Sequence, residues 1–220
     1  MIQRLICLVL GYAFGLFQTG YLVGLANHRD IRNYGSGNSG TTNALRVFGK
    51  KAGALVFIGD FFKCFIACSL VKWASAKLGM ADEQLVLTIY TGLGVVLGHN
   101  FPFYLQFKGG KGIASSWALS MVIDWRLGLV CIIIFVATVA ISKYVSFASM
   151  LAIGSFALMW FVLLGVGALE GISGLTEASI LIMVVVLLAI YRHKGNIKRL
   201  REGTENKIGQ RAKITDEEKK

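Results

Sequence analysis

Between Asn33 and Lys51 the chain reads NYGSGNSGTTNALRVFGKK. Gly35, Gly37 and Gly40 free the backbone to turn successive N–H groups toward one concave side, and Ser36, Asn38, Ser39, Thr41, Thr42 and Asn43 ring it with short polar side chains. Groups of this kind cradle anions. Arg46 follows three residues after Asn43, so a short helix opening near Thr42 puts its guanidinium one turn on, where two parallel N–H donors can chelate a phosphate. A flexible polar linker has the same composition, and this segment alone leaves both readings open.

A second loop, GHNFPFYLQFKGGKGIA, packs Lys108, Gly109, Gly110, Lys111 and Gly112 into five residues that lead straight into an apolar run. A glycine turn at a helix N-terminus offers N–H groups and the positive end of the dipole, and the two lysines add full charges. The pattern is not G-x-x-x-x-G-K-[ST], so it does not indicate a nucleotide. His99 and Pro102 are read as shaping the turn. In the third segment, YRHKGNIKRL, His193 and Asn196 stand three apart, with Glu202 and Glu205 beyond. A histidine that moves a proton and an asparagine that orients a hydroxyl suit activation of an alcohol; an interfacial cluster of snorkelling cations is the alternative. Ser146 and Ser149, in SKYVSFAS, read as helix-capping or back-bonding hydroxyls. Asp60 and Lys63 share a helix face inside an apolar run, and an ion pair supporting the site is the expected arrangement. Paired carboxylates, a metal-ligand set and G-x-S-x-G are all missing, so neither metal nor cofactor is expected.

The elements that must position these residues are membrane helices. The chain is 55% hydrophobic and 16% charged, with mean hydropathy +0.63 and one proline in 220 residues, against about 25% charged for soluble domains. Apolar runs fall at Ile2 to Leu25, Ala52 to Val71, Leu85 to Leu97, Ile113 to Ile123, Leu127 to Ile141, Val145 to Val166 and Ala178 to Tyr191. The expectation is an all-α integral membrane protein: one domain over residues 1–220, a bundle of about seven transmembrane helices, and a charged, solvated tail at 207–220. The first run is too long for a signal peptide and reads as a retained helix. The fourth is short for a crossing of about 20 residues. Charge argues for it nonetheless, because seven crossings put 18 of the 23 Lys and Arg on one side, four on the other, and Lys63 within a span. The positive-inside rule makes the basic side cytoplasmic and the N-terminus outer. Lys198, Arg199, Arg201, Lys207, Arg211 and Lys213 then serve topology and lipid headgroups, not nucleic acid. Cys7, Cys64, Cys68 and Cys131 lie in apolar runs and read as small buried hydrophobes.

Two anion cradles and a His–Asn pair on one membrane face point to two phosphate-bearing substrates, at least one of them lipid-like, with group transfer between them. A transporter for small phosphorylated anions is the rival class, although it should show broken midplane helices and an internal repeat.

Through GSGNSGTTNALR, GHNFPFYLQFKGGKGIAS and YRHKGNIKRLREGTE, in that order, nearly the whole chain resembles the bacterial acyl-phosphate:glycerol-3-phosphate acyltransferase family, the PlsY family. The resemblance implies a seven-helix enzyme of the bacterial cytoplasmic (inner) membrane whose site faces the cytoplasm. It implies acyl transfer from acyl phosphate, not acyl-CoA, to the 1-hydroxyl of glycerol 3-phosphate, giving lysophosphatidic acid and phosphate for phospholipid synthesis. Membrane lipids and the acyl-phosphate-forming enzyme are the implied partners. By the same resemblance Ser36 and Arg46 match essential residues, Asn38 and Asn43 polar liners, and Lys108 to Gly112 a phosphate-binding motif. Ser146 matches a pocket serine, His193 and Asn196 active residues, and Glu205 a supporting acid. Ser39 and Thr41 stand where the family commonly has Pro and Ala. The implied mechanism is direct attack, with Lys108 and Ser36 on the donor phosphate and Arg46, Lys111 and Asn196 on glycerol 3-phosphate. Either His193 or the donor's own phosphate serves as the base.

Overall fold

In hydrocarbon a backbone with no water to bond must satisfy itself, and apolar runs whose interiors lack proline do so as helices. The computed structural model describes residues 1–210; Arg211, Lys213 and the rest of the expected tail lie outside the described residues. Ten α-helices follow in order among the described residues: α1 Ile2–Gly15, α2 Thr19–Ala26, α3 Thr41–Phe48, α4 Lys50–Lys77, α5 Gln84–Asn100, α6 Ile113–Ile123, α7 Trp125–Ser142, α8 Val145–Gly165, α9 Leu175–Arg192 and α10 Lys194–Arg201. Pro102, the single proline, falls in the loop after α5.

Six stretches are long and apolar enough to cross a membrane, the first being Ile2–Ala26, which joins α1 and α2. The eleven-residue α6 rises only about 16 Å at 1.5 Å per residue, roughly half of a ~30 Å hydrocarbon core. Its hydrogen bonds fix its depth. Ser115 Oγ donates to the Asp60 carbonyl at 2.9 Å, and Lys72 Nζ donates to the Val122 carbonyl at 2.7 Å, so α6 lies beside the stretch of α4 from Asp60 to Lys72. Asp60 is ten residues into α4, about 15 Å below its start. The loop ahead of α6 therefore dips into the bundle, and the turns that α6 lacks leave room above it.

At one end of the bundle Arg4 Nη1 pairs with Glu83 Oε2 at 2.7 Å and Arg4 Nε with Glu177 Oε1 at 2.8 Å, tying together the starts of α1, α5 and α9. The polar loops gather at the other end. The chain from α10 returns there: Ile208 N donates to the Lys143 carbonyl at 2.8 Å, so residues 207 and 208, expected to begin a solvated tail, are docked. A second correction concerns the first run, which is not one helix. It breaks at Gln18, whose Nε2 donates to the carbonyls of Gly15, Gly98 and His99 at 3.0 to 3.1 Å, while the Phe17 carbonyl freed by the break accepts from Lys63 Nζ at 2.8 Å. Below the break α1 and α5 touch backbone to backbone. A Cβ on Gly11 would collide with the Thr91 carbonyl and one on Gly94 with that of Leu8, the close approach small residues allow between membrane helices. The four cysteines are free and buried, and Ile58, Phe62, Ile133, Val136 and Leu187 face outward as a lipid-facing surface requires.

Candidate functional site

The Asn33 to Lys51 segment is a built loop and not a flexible linker. Asn43 is buried with its side chain fully committed: Oδ1 accepts from Ser36 N at 2.9 Å, and Nδ2 donates to the carbonyls of Ile31 and Tyr34 at 3.2 and 3.0 Å. Asn43 borders the second cavity, as expected of a liner, and its side chain also shapes the loop. Gly35 and Gly37 take the left-handed φ values, +61° and +69°, that the loop needs on either side of Ser36. Ser36 is thereby left exposed at the crest. Asn38 Oδ1 accepts from Gly40 N at 2.9 Å, and its Nδ2 reaches the Gly109 carbonyl at 3.4 Å, joining this loop to the next. Ser39 is buried with its hydroxyl 3.5 Å from Gln18 Oε1, and Thr41 borders the cavity, so both departures from the family pattern are accommodated in the loop.

The glycine turn differs from its expected form. Gly109 N donates to the Asn100 carbonyl at 3.2 Å and Gly110 N to the His99 carbonyl at 3.0 Å, so neither N–H is free for an anion. Their carbonyls accept from the Arg192 guanidinium at 2.9 to 3.1 Å. The turn is pinned on both sides, and the anion-directed groups move one step along the chain. They are the first-turn N–H groups of α6 after Gly112 (φ +77°), which have no partner within the helix, together with exposed Lys108 and half-buried Lys111. Arg192 escaped sequence reasoning although it adjoins His193; a cation beside a candidate base was its only signal.

His193 occupies the joint between α9 and α10 and is buried. Its Nδ1 lies 2.7 Å from the Ala189 carbonyl, which can only accept, so Nδ1 carries the hydrogen and Nε2 is left as an acceptor. Burial, reinforced by the nearby Lys111 ammonium, pushes the imidazole down to about 4, so it is neutral at physiological pH. Lys111 Nζ donates to Asn196 Oδ1. Asn196 Nδ2 in turn donates to Glu205 Oε1 at 2.8 Å, as does Ser146 Oγ at 3.0 Å, and Arg199 Nε donates to Oε2 at 2.7 Å. Burial alone would raise the Glu205 carboxyl, but these donors outweigh it and hold the group below its usual range. Glu205 is thus the hub joining α8, α10 and, through Asn196, the glycine turn. Burial pulls Lys111 down to about 8 despite Glu205, with Arg199, Arg192 and Arg46 pushing the same way. Arg46 is likewise lowered by burial, against the pull of Glu205, and its one hydrogen bond among the described residues is to the Asn206 carbonyl at 3.3 Å. Beneath the turn Asp60 Oδ1 and Lys63 Nζ pair at 2.8 Å, as expected from their spacing.

Two cavities meet here. The first, about 530 Å³, is polar and open, with Arg32, Lys108, Arg192, Lys194 and Arg199 in its wall. The second, about 340 Å³, has Arg46, His193 and Glu205 at its head, and runs down over α6 between Phe57, Trp117, Cys131, Ile132, Phe135 and Ile153. Ser36, Asn38, Lys111 and Asn196 border both. An elongated molecule with an apolar tail and an anionic end would lie along the second cavity with its reactive group at the shared border and its anion in the polar cavity.

A family model described as glycerol-3-phosphate acyltransferase matches residues 5–203. The chain belongs to the glycerol-3-phosphate acyltransferase family. Its glycerol-3-phosphate acyltransferase relatives include those of Thermoanaerobacter pseudethanolicus, 38% identical over 207 residues, and Clostridioides difficile, 38% over 209, each alignment covering 94% of this chain and 96% of the relative. The crystal structure of PlsY, an integral membrane glycerol 3-phosphate acyltransferase, in its glycerol 3-phosphate form superposes with TM-score 0.80 at 33% identity, covering 94% of this chain and 96% of that one. The lysophosphatidic acid form of PlsY gives 0.77 at 32%. As a member of this family the chain is an integral membrane acyltransferase, and the anion-transporter reading falls away. Among the described residues no three His, Cys, Asp or Glu side chains are grouped to hold a metal ion.

Proposed function

We propose that this acyltransferase moves a fatty acyl group from acyl phosphate to the 1-hydroxyl of glycerol 3-phosphate, giving lysophosphatidic acid and inorganic phosphate for phospholipid synthesis. The observation that carries the reading is the junction of a cation-lined cavity with an apolar one at Ser36, Asn38, Lys111 and Asn196. The acyl chain lies over α6 in the apolar cavity with its carbonyl at the junction. The donor phosphate extends into the polar cavity toward Lys108 and Ser36. Glycerol 3-phosphate occupies the head of the second cavity, its phosphate on Arg46 and Lys111 and its hydroxyl between Asn196 and His193.

In the transfer step the 1-hydroxyl oxygen forms a bond to the acyl carbon and the bond from that carbon to the bridging oxygen breaks. Phosphate leaves with the electron pair into the open polar cavity, and the hydroxyl proton goes to His193 Nε2. An acyl phosphate is already activated, so the protein contributes position and charge and no covalent intermediate is required. Lys108 and the α6 N-terminus stabilise the charge that develops on the departing phosphate.

Seven crossings, counting α6, accord with a bundle whose α1 start and polar loops lie at opposite ends. The excess of Lys and Arg at the polar end supports a cytoplasmic site in a bacterial inner membrane. Phosphate then returns to the cytoplasm while the lipid product leaves sideways.

The donor assay tests this reading. Purified protein given glycerol 3-phosphate should use acyl phosphate at least about 100-fold better than acyl-CoA, because the polar cavity offers its cations to a terminal phosphate next to the carbonyl. Equal use of both donors would contradict it. The pH profile of kcat/KM supplies a second test, since it reports the free enzyme. Lys111 is charged below about 8 and neutral above it, so activity should fall as pH rises through about 8. Lys111→Arg keeps its charge and should remove that alkaline limb; an unchanged limb would take Lys111 out of phosphate binding.

A further inference from the structure

The transfer step leaves one buried charged cluster unused. Asp60, Lys63 and His99 are each at most 6% exposed, and ionisable groups inside a membrane bundle are costly unless they carry a function or a contact that holds other groups in place. Lys63 Nζ donates to Asp60 Oδ1, to the Phe17 carbonyl and to His99 Nδ1, each at 2.8 Å. An ammonium only donates, so His99 Nδ1 is the acceptor and the ring hydrogen is on Nε2. That edge of the ring faces Gly110. A Cβ on Gly110 would fall against His99 Nε2 and lie 2.6 Å from Cε1, while the Gly110 N–H bonds the carbonyl of the same histidine at 3.0 Å. Gly110 has none of the positive φ that would explain a glycine there.

We propose that His99 is a positioning residue: clamped by Lys63 and Asp60, its imidazole is the seat on which Gly110 rests, and it sets the height of the Lys108 to Gly112 turn above the head of α6. Arg192 holds the turn from the opposite side through the Gly109 and Gly110 carbonyls. The seat places Lys108 and Lys111 at the cavity border, and a displacement of about 1 Å there is enough to cost on the order of 100-fold in rate. The inference rests on the reading that these lysines hold substrate phosphate.

A double-mutant cycle over Gly110→Ala and His99→Ala tests the seat, with kcat and KM for both substrates read beside thermal unfolding in detergent. Gly110→Ala should lose about 100-fold in kcat/KM and His99→Ala about 10-fold, the latter mostly as raised KM for the phosphate substrates. The pair should recover to about the His99→Ala level, because the new methyl takes the space the ring vacates. Losses that multiply would overturn the seat. If Gly110→Ala does not fold, His99→Gln against His99→Asn decides: the longer amide should keep at least about fivefold more kcat/KM, and equal losses would overturn the proposal. Lys108→Met assayed alongside separates the two claims. Unchanged KM for both substrates, with recovery in the pair, supports the seat and removes the phosphate role of the turn; raised KM without recovery counts against the seat alone.

Discussion

His193→Ala is expected to lower kcat by about a thousandfold while leaving KM for glycerol 3-phosphate within about threefold, the range general base catalysis commands. The ground lies in the ring's two nitrogens. Nδ1 is committed to the Ala189 carbonyl 2.7 Å away, which fixes both the tautomer and the direction of Nε2. Burial and Lys111 keep the ring neutral down to about pH 4, so the acceptor is available throughout the physiological range. A base is needed late, as the oxygen-to-carbon bond forms, and so its loss appears in kcat and not in KM. His193→Gln separates proton transfer from orientation. A glutamine can hold the hydroxyl but cannot take its proton, so it should stay within about tenfold of alanine. A glutamine variant close to wild type would show that the donor phosphate is the base.

Arg46→Ala is expected to raise KM for glycerol 3-phosphate by about 100-fold with a smaller change in kcat, as the loss of a charge-assisted pair worth roughly 2 to 3 kcal/mol requires. Arg46 is desolvated yet has only the Asn206 carbonyl as a partner among the described residues, and Glu205, whose charge acts on it, already serves Asn196, Ser146 and Arg199. A half-buried guanidinium with spare donors at the head of a cavity suits an anion. Arg46→Lys should recover part of the loss, since a point charge replaces the fork but not its two parallel bonds. An unchanged KM in Arg46→Ala would move the acceptor phosphate elsewhere.

Charge and hydropathy carry the architecture because a membrane helix is specified mainly by what it excludes. The run Ile113 to Ile123 coincides with α6, and the short helix supposed to open near Thr42 is α3, which begins at Thr41. Three features depend on contacts across the bundle and are silent in any one segment. Gln18 breaks the first run because its amide bonds carbonyls of α5 about eighty residues away. The Gly109 and Gly110 N–H groups looked free because their acceptors, Asn100 and His99, also belong to the preceding helix end. The apolar cavity was illegible for another reason: lipid and core are equally apolar, so nothing in the α7 sequence separates Ile132 and Phe135, which line the cavity, from Ile133 and Val136, which face out. The catalytic candidates were legible because they gather in three short polar segments that interrupt or follow the apolar runs.

The most direct test uses acyl phosphate carrying oxygen-18 at both carboxyl oxygens, with glycerol 3-phosphate, following lysophosphatidic acid and phosphate by mass. Direct attack on the acyl carbon predicts equal amounts of the two products, one label in each, with both lost in Ser36→Ala. Unlabelled phosphate, or phosphate released without lysophosphatidic acid, would mean that the phosphorus–oxygen bond breaks or that water is the acceptor, and would contradict acyl transfer at this junction.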